Sequence, residues 1–217
     1  MFRDRTDAGK RLAEALMTYK GQPVVVYALP RGGVVIGVEV AQVLEAPLDL
    51  IVVRKIGHPF SPEYAIGAVA EDGYVITNPD EAETMDEQWI RQAVAAELKE
   101  AQRRRKLFVG GRSAVPVKDK IAIIIDDGLA TGLTMQAAIH EIRKRGPRKV
   151  IVAVPVAAAD TVDRLRPEVD ELIALYIPRG FFGAIGSFYE NFDQISDEEV
   201  VALLRSFAAD CADDTDG

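Results

Sequence analysis

The chain has 217 residues, a formal net charge of −8, 48% hydrophobic and 28% charged residues, and a single cysteine, Cys211. That length suits one sizeable core with room for a small subdomain, and the acidic balance argues against nucleic-acid wrapping, which needs clustered positive charge. No apolar run approaches the ~20 residues of a membrane span, the N-terminus has no signal-peptide h-region, and a lone cysteine forms no internal disulfide, so a cytoplasmic protein is expected.

Taken in order, residues 7–19 place Leu12, Leu16 and Met17 on one face of an amphipathic helix opening at Thr6 or Asp7. The apolar run 23–29 predicts the first core strand, followed by Pro30-Arg31-Gly32-Gly33 and a helical pattern over 34–44. Paired glycines let a backbone approach a ligand closely, and Arg31 is a planar, permanent cation. Residues 48–53, apolar apart from Asp49, predict the second core strand, which ends in the cations Arg54 and Lys55.

Gly57, Pro59 and Pro62 make 56–63 read as a loop rather than a regular element, with His58 and Glu63 as its proton-transfer candidates. Residues 65–70 and 74–77 flank Glu71-Asp72-Gly73 and predict a β-hairpin. A long helix is expected over 84–107, opened by a capping box from Thr84 to Glu87, with Trp89 packing near its start. The run Arg103-Arg104-Arg105-Lys106 in its last turns suits the helix dipole, and such runs are usually solvated faces.

The most informative stretch follows. Ile121-Ala122-Ile123-Ile124-Ile125 suits a strand buried on both faces of a parallel sheet. Asp126-Asp127 sit at its carboxyl end, where open α/β sheets bind ligands, and Gly128-Leu129-Ala130-Thr131-Gly132-Leu133-Thr134 leads into a helical pattern. Loop N–H groups at a helix N-terminus, with the Thr131 and Thr134 hydroxyls, form an anion cradle beside acceptors for sugar hydroxyls. The pattern continues with strand 149–156, helix 158–165 and strand 171–177, which implies an α/β fold with a mostly parallel sheet. The aromatic and glycine-rich segment 177–192 breaks the pattern, and reads either as a hood that stacks on a flat ligand or as a plug at the sheet edge. Ser196 and Glu199 form a capping box for a last helix to about residue 207, and the acidic end from 209 to 217 is expected to be disordered.

Strand, acidic pair and Ala130-Thr131-Gly132-Leu133-Thr134 together resemble the phosphoribosyl-pyrophosphate (PRPP) motif of the type I phosphoribosyltransferases. Pro30-Arg31-Gly32-Gly33 is similar to the pyrophosphate loop of that family, and Arg54-Lys55 to its strand-end cations. The resemblance implies a three-layer α/β fold, an open and mostly parallel sheet with a small hood, strand order three-two-one-four-five and the hairpin strand antiparallel at one edge. It implies a single domain over 1–217, with the core at about 21–178 and the hood from 1–20 and 179–208. It also implies transfer of a phosphoribosyl group from PRPP, with Mg²⁺, to a nitrogen acceptor such as a nucleobase, in nucleotide salvage and as a homodimer.

Site residues carry over from the same resemblance. Asp126 and Asp127 would hold the ribose and possible metal contacts, Ala130, Thr131, Gly132, Leu133 and Thr134 the 5′-phosphate, and Arg31, Gly32, Gly33, Arg54 and Lys55 the pyrophosphate. Segment 56–63 would be a mobile lid carrying His58 and Glu63, and Phe181 or Phe182 would stack on the acceptor. Two departures stand out: Ala130 replaces the general-base aspartate of 6-oxopurine enzymes, and strand 149–156 does not end in their purine-directed lysine. A PRPP-binding regulator without turnover is the rival reading. A dinucleotide enzyme is disfavoured because the glycines do not fit G-x-G-x-x-G.

Overall fold

The structure, a computed structural model, describes residues 1–82, 85–180 and 184–213. Helix α1 (Arg5–Ala15) is capped by Asp4, whose side chain accepts a bond from Asp7 N, so it begins one or two residues before the expected start. A 3₁₀ turn at Met17–Tyr19 leads into β1 (Val24–Ala28), which is buried throughout. Helix α2 (Gly32–Leu44) follows, then β2 (Leu48–Leu50), β3 (Val53–His58), β4 (Ser61–Ala70) and β5 (Val75–Thr77). Beyond the one-turn α3 (Pro79–Ala82) and the long α4 (Glu87–Val109), the chain continues through β6 (Ile121–Ile125), α5 (Leu133–Lys144), β7 (Lys149–Val156), α6 (Ala159–Leu165), β8 (Glu171–Tyr176) and α7 (Asp197–Asp213).

The central sheet has the order β2-β1-β6-β7-β8, and all of its pairings are parallel. Its inner strands β1, β6 and β7 bury both faces. Val24, Val26, Ala28, Ile121, Ile123 and Ile125 pack against α1, α2 and α7, while Val25, Tyr27, Ala122, Ile124 and Val152 pack against α5 and α6. Continuous apolar strands are what a sheet covered on both sides demands. No helix of the described residues is long and apolar enough to cross a membrane.

Several expectations are corrected. The second core strand does not run unbroken over 48–53: β2 ends at Leu50, and β3 starts a separate antiparallel sheet of order β3-β4-β5. The hairpin of 65–70 and 74–77 is present as β4 and β5, but it does not edge the parallel sheet, so the expected order three-two-one-four-five with an antiparallel edge strand gives way to two separate sheets. Segment 56–63 is largely regular, because β3 and β4 pair from Val53↔Ala70 to His58↔Ser61 with register shifts around Gly57. Glycine relaxes the bulge, and a proline at the second position of a strand is tolerated, so tertiary pairing overrides the loop signal. α4 is opened by Asp86, which accepts from Trp89 N at 2.8 Å, two residues after the expected start. Thr84 lies outside the described residues. The Ser196–Glu199 box is present in both directions, at 2.7 and 3.1 Å. It opens a helix that continues to Asp213, through part of the end expected to be disordered. The basic run is not simply solvated: Arg104 and Arg105 each expose only 17% of their side chains.

Candidate active site

The carboxyl ends of β1 and β6, the start of β3 and the N-terminal side of α4 enclose an open cleft of about 990 Å³. Arg31, Gly32, Arg54, Lys55, His58, Asp126, Asp127 and Thr134 all line it, so residues chosen from three separate sequence segments meet at one place. β6 delivers the acidic pair. Asp126 Oδ1 accepts a bond from Asp127 N at 2.8 Å, and burial, then the neighbouring Asp127 charge, pushes the Asp126 carboxyl well above the usual aspartate range.

The glycine loop is packed directly on this pair. A Cβ on Gly33 would lie 2.9 Å from Ile125 O and 3.1 Å from Asp126 Cα, and one on Gly32 would overlap Asp127 Oδ2. Glycine is therefore required here by close approach of two backbones. The Pro30–Arg31 peptide is cis. Arg31 sits 3.8 Å from Asp197 Oδ1 at the start of α7, and Arg54 Nε donates to Glu97 at 2.8 Å on α4. Arg54 is thus already partnered, whereas Lys55 bears on Asp126 through charge alone.

The phosphate-type loop divides two cavities. Thr134 faces the cleft, while Ala130, Thr131 and Leu133 line a neighbouring cavity of about 890 Å³ with Tyr64 and Arg164. Gly132, at φ 74°, ends the loop in a left-handed conformation and caps α5. The loop carbonyls are held from α6: Thr161 Oγ1 donates to Ala130 O, and Arg164 donates to Thr131 O at 2.6 Å. The N–H groups at the opening of α5 remain available to an anion.

On the hairpin, His58 Nδ1 accepts from Phe60 N at 3.2 Å, and the His58 ring lies 5.8 Å from that of Phe60 and 6.4 Å from that of Tyr64. Glu63 falls within β4, and its side chain lies outside what the structure describes. Phe181 and Phe182 also lie outside the described residues.

Sequence reasoning missed the hood's contribution. Arg5 from α1 donates Nε–H to Asp127 Oδ2 at 2.8 Å and Nη1–H to Asp193 O at 2.8 Å, and its guanidinium carbon lies 3.7 Å from the Phe192 ring centre. Tyr189 donates its hydroxyl to Asp127 O at 2.7 Å, and burial pushes that phenol above its usual range. Phe192, Gln194 and Ile195 line the cleft as well. Arg5 stands 122 positions from its partner, so local pattern carries no trace of the contact.

Comparison with known proteins agrees with this geometry. Residues 5–181 match the profile of the phosphoribosyl transferase domain family. A Mycobacterium tuberculosis protein bearing the provisional name phosphoribosyl transferase is 46% identical over 214 residues, in both strain CDC 1551 / Oshkosh and strain ATCC 25618 / H37Rv. The match covers 96% of this chain and 48% of those proteins, so the chain spans about half the length of the curated relatives it matches. The crystal structure of the protein TT1426 from Thermus thermophilus is 40% identical with a TM-score of 0.77, covering 95% of this chain and 98% of that one. A Neisseria gonorrhoeae protein crystallised with bound ppGpp is 14% identical with a TM-score of 0.51, covering 95% of this chain and 98% of its own, a likeness of fold alone. With its parallel sheet, its acidic pair over a glycine loop and a family match across most of its length, the chain belongs to the phosphoribosyl transferase domain family.

Proposed function

We propose that the cleft binds PRPP and that the protein transfers its phosphoribosyl group to a nitrogen nucleophile, releasing pyrophosphate. The observation that carries this reading is the meeting of Asp126-Asp127, Gly32, Lys55 and Thr134 around one cleft. Asp126 and Asp127 accept bonds from the ribose hydroxyls. The N–H groups at the opening of α5 and the Thr134 hydroxyl hold the 5′-phosphate, while the Thr131 side chain belongs to the neighbouring cavity. Main-chain N–H groups of the Arg31–Gly33 turn meet the diphosphate, with Arg31 and Lys55 as cations beside it. Arg54 is a weaker candidate, since Glu97 already engages it.

The bond from ribose C1 to the pyrophosphate oxygen breaks as the nitrogen attacks, through an oxocarbenium-like transition state. Catalysis is then mostly positioning and charge stabilisation: the carboxylates face the sugar side, and Lys55 faces the departing diphosphate. Mg²⁺ fits this donor set. No cluster of three or more His, Cys, Asp or Glu forms a metal cage among the described residues, whereas an adjacent carboxylate pair suits an ion that keeps its waters and arrives on phosphate oxygens. Asp126 and Asp127 would meet it, and when bound it neutralises diphosphate charge.

We read His58, on the hairpin wall of the cleft, as the candidate for moving a proton of the acceptor. The acceptor is a nitrogen compound, taken first as a nucleobase, and Ala130 argues against hypoxanthine and guanine. The test is pyrophosphate release from Mg·PRPP across a panel of bases and other amines. Turnover with an acceptor supports the reading. PRPP binding without turnover on any acceptor makes the protein a PRPP-binding regulator, and absence of PRPP binding overturns both.

A further inference from the structure

Arg5 belongs to the first turn of α1, far in sequence from every motif above, yet only 10% of its side chain is exposed. Three different partners hold its guanidinium: Asp127 Oδ2 through Nε–H, Asp193 O through Nη1–H, and the face of Phe192. A planar cation fixed along its edge and its face has little freedom to swing toward a ligand. Asp127 is held as firmly. Its N–H is bonded to Asp126 Oδ1, its carbonyl accepts from Tyr189, and Gly32 packs where a side chain would overlap Oδ2. Among the described residues Asp127 Oδ1 accepts no hydrogen bond, and Asp127 lines the cleft.

We propose that Arg5 is a positioning residue: carried by the hood, it fixes the Asp127 carboxylate with one oxygen turned to the ribose of the bound substrate, and so ties the hood to the PRPP half of the site. The inference rests on the PRPP reading above. Its physical content is preorganisation. Orienting Asp127 during folding removes that ordering cost from the binding step. An exposed ion pair would contribute little, but this one is enclosed by Phe192 and Gly32.

Calorimetric titration with three probes tests it: Mg·PRPP, ribose 5-phosphate, and inorganic pyrophosphate with Mg²⁺. The proteins are wild type, Arg5→Gln, Arg5→Lys, Asp127→Asn, and each Arg5 variant combined with Asp127→Asn. Arg5→Gln is expected to weaken ribose 5-phosphate and PRPP by about ten- to fiftyfold, the scale of a charge-assisted bond. Pyrophosphate affinity should stay within about twofold, since that probe has no ribose for Asp127 to hold. Arg5→Lys, which keeps the charge, should recover most of the ribose 5-phosphate affinity. In the Asp127→Asn background either Arg5 change should add less than about twofold, because both act on one interaction.

Additive losses in the double variants overturn the proposal, as does an equal loss of pyrophosphate, which would make Arg5 a direct diphosphate contact. Tighter ribose 5-phosphate binding in Arg5→Gln also overturns it, because Arg5 would then be masking Asp127. If Arg5→Gln does not fold, Arg5→Met, which keeps the stem and removes the charge, takes its place alone and combined with Asp127→Asn. Wild-type protein that binds none of the probes overturns the PRPP reading and this inference together, whereas binding with additive variants overturns the role of Arg5 alone.

Discussion

Two carboxylate–arginine centres flank the first core strands, and they differ in what they face. In the cleft, Asp127 is paired with Arg5 and lies open to a ligand on one side. At the break between β2 and β3, Asp49, Glu71 and Glu141 meet Arg105 and Arg145 in a cluster tied to the backbone. Asp49 is 4% exposed and accepts from Arg105, Leu50 N and Val115 N at 2.7–2.9 Å. Arg105 also donates to Leu50 O at 2.7 Å, and Glu71 exchanges bonds with Val52 through N and Oε2. The cluster therefore takes over the backbone groups that the sheet gives up where the chain leaves it, just before Lys55 enters the cleft. The same residue chemistry lines the cleft in one place, and in the other it engages backbone groups through Asp49, Glu71 and Arg105.

The contrast is broken most forcefully by Arg105→Ala. It leaves Asp49 buried without its cation and should lower unfolding stability by about 3–5 kcal/mol, read from urea midpoints. If the brace acts only through stability, the folded fraction should still bind PRPP.

Glu71 sharpens the comparison through pH. Burial, against the pull of Arg105, pushes its carboxyl from the usual 4.5 up to about 7. A carboxyl raised on folding holds its proton longer in the native state, so its contribution is full below pH 4.5 and is lost as pH rises to about 7. Wild-type stability should fall across that window by about 2 kcal/mol more than that of Glu71→Gln. Parallel pH profiles for the two proteins would remove Glu71 as the cause.

Lys55→Ala should do the reverse of Arg105→Ala. It should weaken pyrophosphate and PRPP by about tenfold while moving the unfolding midpoint little, since a cation in an open cleft adds little to the fold. The smallest effect is expected at Ser196→Ala, which removes the hydroxyl half of the α7 cap and should cost about 1 kcal/mol. PRPP affinity should then be unchanged, unless α7 positions Arg31 through Asp197.

These differences follow what the sequence made legible. Ile121 to Thr134 carries strand, carboxylates and loop in consecutive residues, so its role in the fold was readable locally. Gly32 and Gly33 signalled close approach to a ligand, whereas the approach the structure shows is to Asp127 and Ile125. Arg5 left no such mark, and the aromatic segment of Tyr189 and Phe192 stood out without showing its partners, because those contacts are made across the whole chain. Pro59, Pro62 and Gly57 pointed to a loop, yet pairing with β4 makes most of that segment strand. Asp49 was visible as a polar residue in an apolar run, but its partner Arg105 was hidden in a run that reads as solvated charge. Local chemistry was legible, and long-range pairing of charges was not.

The central claim is that the Asp126-Asp127 end of β6 is where the sugar of PRPP is held. Titrating Mg·PRPP into wild type and into the Asp126→Asn/Asp127→Asn variant, with melting temperatures of both, tests it most directly. The account predicts saturable binding by wild type, affinity at least about tenfold lower in the variant, and little change in melting temperature. Equal affinity for Mg·PRPP in the two proteins would contradict it.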